Sequence, residues 1–334
     1  MTERGWYWFK SAHLANCRFV INVSNQSFIQ KLVNLVGYIF LRTIFCIIQA
    51  MPRASLEQLS RSLAWVMTRL VPIRRRVCLE NLGYVFPDAS RKQLYDTICK
   101  MWQSLFLMLF EVAQAPRSIN RYNWREHIAI KDQHVLLTGL LSKHPTMLLS
   151  GHYGNFELAG FIAGLFGFPS FTIARPLDNP LMNDYINTFR SRYGQFILPK
   201  KGIATTVDTL LRKGQTLTVL ADQAAGKKGI WMDFMGRPAS CHKALALYAL
   251  TTDAEVVVVA ARHNWRMFDL TLDCRGHLRT SNLGPTEQTI SHVTAWYNRQ
   301  LEEAIELSPA QYWWLHRRWK DPRKHKAAKL TDVS

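Results

Sequence analysis

From about residue 132 onward the chain alternates short apolar runs with helical stretches, and few folds accept that rhythm. The runs "TMLLS" (146–150), "SFTIA" (170–174), "QFILP" (195–199), "TLTVLA" (216–221), "EVVVVAA" (255–261) and "FDLTLD" (268–273) read as strands. Helical stretches fall between them at 155–166, 180–193, 203–213 and 242–252, and a last one near 288–307. Strands that are apolar throughout need cover on both faces, and strands joined through helices run parallel. The expected fold class is α/β, a mainly parallel sheet with flanking helices.

Upstream the period changes. "SLEQLSRSLAWVMTRLV" and "SRKQLYDTICKMWQSLFLMLFEVAQ" place apolar residues every three or four positions, and Ser90 stands where a helix cap belongs. Between them Arg74, Arg75 and Arg76 form either a solvated turn or, beside an anionic membrane, a phosphate contact. Earlier still, "LVNLVGYIFLRTIFCIIQA" (32–50) is as long as a membrane span but holds Arg42. A helix lying in or crossing the interface obliquely would let Arg42 snorkel to the headgroups. "GWYWFKSAHLANCRF" before it has the ring-and-cation mix suited to that level, so an N-terminal membrane-associated helix is expected. The division that follows is a membrane-interacting segment and anchor over 1–52 and an α/β domain over 53–325, with a basic tail over 308–334. Within the domain the helical part is 53–131 and the sheet part 132–307.

The formal net charge of +18 favours anionic partners such as phospholipid surfaces or acidic carriers. Six cysteines without a CxxC pair argue against a zinc site and a disulfide framework and fit a reducing compartment. No histidine sits in a metal-ligand spacing, and "GKKG" lacks the residues of a phosphate-binding loop, so neither metal nor cofactor is expected.

In an open parallel sheet ligands bind at the carboxyl ends of the strands. His152 follows "TMLLS", with Glu157 five residues further on; Arg175 follows "SFTIA"; Asp222 and Gln223 follow "TLTVLA". On one helix His152 and Glu157 would be about 140° apart, but a loop His and a first-turn Glu can meet. Gly151, Gly154 and Asn155 supply such a loop, with Asn155 as a plausible cap. The carboxylate would then fix the imidazole tautomer, as the acid does in hydrolase triads. "LLSGHYG" is not a nucleophile elbow. A His–Glu dyad without its own nucleophile suits a general base that activates a substrate hydroxyl.

In "RRRVCLENLGYVFPD", "GHYGNFE", "ARPLDNPLMNDYINTFRSRYG", "LRKGQTLTVLADQ", "DFMGRPAS" and "PAQYWWLHRRWK", in that order, the chain resembles the lipid A late acyltransferases from about residue 30 to 320. These are bacterial lauroyl and myristoyl transferases that share a His-x-x-x-x-Asp/Glu motif with glycerolipid acyltransferases. The resemblance implies transfer of a fatty acyl group from an acyl carrier protein thioester to a lipid hydroxyl, at the cytoplasmic face of a bacterial inner membrane. It makes His152 the base and Glu157 its orienting partner, Arg175 a phosphate contact, and Asp222 and Gln223 groups that shape the site. Asn155 would cap the helix or donate to the oxyanion. Other acceptors, a lysophospholipid, an aminolipid or another glycolipid, stay open. The aromatic and basic tail would also suit single-stranded nucleic acid. The same charge serves anionic lipid and an acidic carrier, so no nucleic-acid partner is expected.

Overall fold

The computed structural model describes residues 27–199 and 202–320. The interfacial reading of "GWYWFKSAHLANCRF" lies outside those residues, as does the end of the basic tail.

The first helix, α1 (Phe28–Ala50), starts at Ser27, whose hydroxyl accepts from the Gln30 N–H at 3.3 Å. It is long and apolar enough to cross a membrane, and most of its apolar side chains are exposed, Phe28 and Phe40 among them. Its inner side docks on the protein. Asn179 Nδ2 donates to the Asn34 carbonyl at 2.8 Å, and Gln114 Nε2 to the carbonyls of Ile48 and Met51 at 2.8 and 2.9 Å. Arg42 belongs to this docked side. Its guanidinium lies 4.7 Å from the Tyr185 ring centroid and donates to the Tyr38 hydroxyl at 3.3 Å. Arg42 thus has a cation–π seat on Tyr185 while remaining exposed.

Three more helices follow: α2 (Arg53–Arg69), α3 (Arg75–Val85) and α4 (Arg91–Ser118). Ser90 closes a capping box, accepting from the Gln93 N–H while Gln93 Oε1 accepts from the Ser90 N–H. The sheet is then built from β1 (Ile128–Lys131), α5 (Gln133–Leu140), β2 (Thr146–Ser150), α6 (Phe156–Leu165), β3 (Ser170–Ala174), α7 (Pro180–Arg192) and β4 (Gln195–Pro199). It continues through α8 (Ala204–Arg212), β5 (Thr216–Leu220), the hairpin β6 (Ile230–Phe234) and β7 (Arg237–Cys241), α9 (Lys243–Thr252), β8 (Glu255–His263), β9 (Leu270–Arg279) and α10 (Ile290–Leu307).

Seven strands form one sheet in the order β1-β9-β8-β2-β5-β3-β4, with β6 and β7 apart as a two-stranded ribbon. Strands β8, β2, β5, β3 and β4 are parallel; β9 returns antiparallel beside β8, and β1 runs with β9. The fold class is therefore the expected one, with an antiparallel edge. Both faces are covered: Met147, Leu149, Val256 and Val258 join one core, while Leu148, Val257 and Val259 join the other. Beyond α10, residues 309–319 fold back onto the sheet. Tyr312, Trp314 and Trp319 are buried, and the buried Arg318 donates to the Ser240 carbonyl at 2.8 Å.

Candidate active site

Strands β2 and β5 are parallel neighbours whose register pairs Ser150 with Leu220, and the ladder closes with the Ala221 N–H donating to the Ser150 carbonyl at 2.8 Å. Two residues further along each strand stand His152 and Asp222. Equal steps from a matched register bring them face to face. His152 Nδ1 lies 2.8 Å from Asp222 Oδ1, and the His152 backbone N–H donates to Oδ2 at 2.8 Å. Asp222 is fully buried. Burial pushes its carboxyl up, but the His152 charge and the two hydrogen bonds from His152 outweigh it and hold the group at about 2.

A buried carboxylate on Nδ1 fixes the tautomer: the proton sits on Nδ1 and the Nε2 lone pair is free to act as a base. Gln223, on the exposed side, places its Nε2 3.3 Å from His152 Nε2, where an acceptor nitrogen takes the amide hydrogen. Gly154 (φ +55) permits the sharp turn after His152, and a Cβ there would fall on the Ala261 carbonyl oxygen.

Glu157 does sit in the first turn of α6, as expected, but it does not reach His152. Its carboxylate pairs with Arg190 in the last turn of α7, with Arg190 Nε donating at 3.1 Å to Oε2 and Nη2 to Oε1. The imidazole is instead oriented by Asp222, because the strand register delivers that carboxylate to Nδ1. Asn155 caps α6: Oδ1 accepts from the Leu158 N–H at 2.9 Å and Nδ2 donates to Glu111 Oε2 at 2.7 Å, so both ends of its amide are committed. Arg175 is exposed and paired with Asp178 at 3.0 Å, away from the imidazole's hydrogen bonds.

Several groups at the site had no signal in the strand pattern. Arg190 is one. Glu111, fully buried in α4, accepts from Asn155 and, at 2.6 Å, from the Phe268 N–H. Burial pushes its carboxyl up to about 8, against the lowering effect of those two donors. The third group is the segment after α10. The Trp313 N–H donates to the His152 carbonyl at 3.0 Å, and the rings of Phe156, Trp313 and His316 stand 5.3, 5.2 and 4.4 Å from the imidazole. Burial, with the His152 charge, pulls His316 down to about 4. Only the order of blocks around "PAQYWWLHRRWK" hinted that this piece belongs near the site.

Among the described residues no Ser or Cys side chain is hydrogen-bonded to His152; Ser150 Oγ reaches only the Gly151 carbonyl, at 3.5 Å. Nor does any group of three or more His, Cys, Asp or Glu there stand ready to hold a metal ion. The class so defined is an α/β protein with a carboxylate-backed histidine at the carboxyl edge of its sheet. The chain belongs to the bacterial lipid A biosynthesis acyltransferase family, whose model matches residues 27–321, and is thus an acyl-group transferase.

Its similarity to individual proteins is spread along most of its length. The lipid A biosynthesis lauroyltransferase of Escherichia coli (strain K12) is 25% identical over 294 residues, 83% of this chain and 89% of that protein. The palmitoleoyltransferase of the same strain is 25% identical over 259 residues, 74% and 79% of the two chains. A lipid A biosynthesis acyltransferase of Haemophilus influenzae is 23% identical over 307 residues, 89% and 93%. Among solved structures, the 1-acyl-sn-glycerophosphate acyltransferase of Thermotoga maritima aligns with a TM-score of 0.37 and 12% identity, over 75% of this chain and 97% of that one. That likeness is too distant to carry an argument.

Proposed function

We propose that the protein is a membrane-associated acyltransferase that moves a fatty acyl group from an acyl carrier protein thioester to a hydroxyl of a lipid A-type glycolipid precursor. The observation that carries the chemistry is the His152–Asp222 pair, with Nδ1 and Oδ1 2.8 Å apart and Nε2 left as the base. His152 Nε2 takes the acceptor's proton while the alkoxide oxygen attacks the thioester carbon. The tetrahedral intermediate collapses, and the leaving thiolate recovers the proton from His152. General-base help of this kind is worth roughly 10²–10⁴-fold. Asp222 orients the imidazole and stabilises its cationic form. Glu157 remains a proposed site residue, acting through Arg190: their ion pair lies one helical turn from the loop that carries His152, against Phe161 and Tyr193. Gln223 is a movable group in front of the base. Arg175, exposed at the same sheet edge and paired with Asp178, is proposed as a contact for a phosphate of the incoming lipid rather than as part of the chemistry.

The acceptor class is supported by the names of the relatives, and the donor by the positive charge that suits an acidic carrier. The apolar face of α1 supports attachment to the bacterial inner membrane, with the site on the cytoplasmic side where such a carrier resides. The test is transfer by purified protein from acyl carrier protein thioesters onto a lipid A precursor, a lysophospholipid and an aminolipid side by side. Acylation of the lipid A precursor is expected. Acylation of another lipid alone would move the acceptor, and no acylation of any would overturn the reading.

A further inference from the structure

The segment "YWWLHRRW" contains three indoles, and two of them spend their N–H groups on backbone carbonyls: Trp314 on Pro309 at 2.7 Å and Trp319 on Phe234 at 3.0 Å. Trp313, the one whose ring packs on His152, does not. Its Nε1 is enclosed and has no hydrogen-bond partner, and the same is true of His316 Nε2. Trp313 and His316 stack on each other with ring centroids 5.8 Å apart, so the two orphan nitrogens belong to one wall beside the base. Enclosed donors without partners are rare and costly, and each calls for a reason.

The wall is also held firmly from behind. Asn81 Nδ2, buried in α3, donates to the carbonyls of Trp314 and His316 at 2.8 and 2.9 Å. Arg74 Nη1 donates to the Leu315 carbonyl at 3.1 Å from a left-handed backbone position (φ 47), a conformation a non-glycine residue rarely keeps without cause. The Trp313 N–H is tied to the carbonyl of His152 itself. Preorganised donors aimed at a spot where charge develops are the usual device for stabilising an acyl-transfer intermediate.

We propose that Trp313 Nε1–H and His316 Nε2–H form the donor pair that receives the thioester carbonyl oxygen as it becomes an oxyanion. The inference rests on the acyl-transfer reading above. When the acceptor oxygen bonds to the thioester carbon, the carbonyl π pair moves onto oxygen, and that anion lies against the two donors. When the C–S bond breaks the pair returns, and the thiolate takes the proton held by His152. Gln223 swings aside to admit the carbonyl. The charged and titratable groups facing His316 are His152 after β2, Asp222 after β5 and Arg74 before α3; burial, with the Arg74 cation, keeps His316 a neutral donor.

The test uses Trp313→Phe, which keeps the ring and removes the N–H, with His316→Leu and His316→Gln, the last retaining an amide N–H near the Nε2 position. Steady-state kinetics with an acyl carrier protein thioester and the lipid acceptor, a pH profile and a melting curve are recorded for each. Trp313→Phe and His316→Leu are expected to lower kcat by roughly 10²-fold. KM for both substrates and the pH profile stay at wild-type values, the melting temperature does not fall, and His316→Gln recovers much of the loss. Unchanged kcat in both variants, a loss confined to KM, or no recovery in His316→Gln overturns the donor pair. Wild-type protein that transfers nothing from the thioester overturns instead the reading on which the pair rests.

Discussion

At the scale of single residues, two buried carboxylates divide the work. Asp222 is ionised and faces the imidazole; Glu111 is kept neutral and holds the loop behind it through Asn155 and Phe268. Asp222→Asn preserves shape but offers Nδ1 an amide in place of an anion, which favours the wrong tautomer. It is expected to lower kcat on the order of 10³–10⁴-fold with the fold intact, measured by acyl transfer and circular dichroism. Glu111 has a pH signature of the opposite sign from an ordinary acid. Its folded value is raised from 4.5 to about 8, so the stability tied to its neutral form is complete below pH 4.5 and is lost as pH rises through about 8. Below about pH 6.5 the buried His263 and His316, both lowered to about 4, act in the opposite sense, so urea unfolding of wild type should weaken between about pH 6.5 and 8, and Glu111→Gln should flatten that slope. An identical slope in both proteins would remove Glu111 as its origin. His152, Asp222 and Gln223 were legible in the sequence as groups following strands. Their pairing was not, because it depends on β2 and β5 being neighbours in register, which spacing along one chain does not reveal. Glu157 was read as the partner of His152 for the same reason: nearness in sequence stood in for nearness in space.

At the scale of elements, six sheet strands were legible from their apolar runs, most plainly those buried on both faces. "TMLLS" and "EVVVVAA" lie in the middle of the sheet, where no polar residue interrupts the run. Strand β1 escaped notice because "IAIK" is short, sits at the sheet edge and ends in a lysine. The β6–β7 ribbon escaped because Asp233 and Pro238 break the apolar pattern; its turn is instead marked by Met235 and Gly236, both at positive φ. The antiparallel return of β9 is a short hairpin, which apolar periodicity does not separate from a parallel strand. Helix α1 was legible in length and hydropathy, while the side on which Arg42 points was not, since its partner Tyr185 is supplied by α7. The outward side of α1 exposes Val36 and Phe40, a larger apolar face than a soluble surface keeps without a partner. Val36→Asp with Phe40→Asp, two changes distant from the site, is expected to shift the protein from vesicles to supernatant in a flotation assay with anionic liposomes. Its circular dichroism spectrum should not change. Undiminished flotation would argue that α1 is not the membrane contact.

At the scale of the whole molecule, separate pieces of chain meet at one edge of the sheet. His152 comes from the β2 loop, Asp222 from the β5 loop and the aromatic wall from the segment after α10. Helix α1 docks on α4 and α7, the two helices that also supply Glu111 and Arg190, so the apolar first helix and the candidate site share a foundation. In the proposed function, such an arrangement would bring a lipid hydroxyl from the bilayer to His152. The decisive measurement is lipid mass spectrometry of a deletion strain carrying the wild-type gene, His152→Ala or Asp222→Asn at matched protein levels. The account predicts a lipid A species heavier by one acyl chain with wild type, none with His152→Ala and little with Asp222→Asn. Return of that species with His152→Ala, or its absence with wild type, would contradict it.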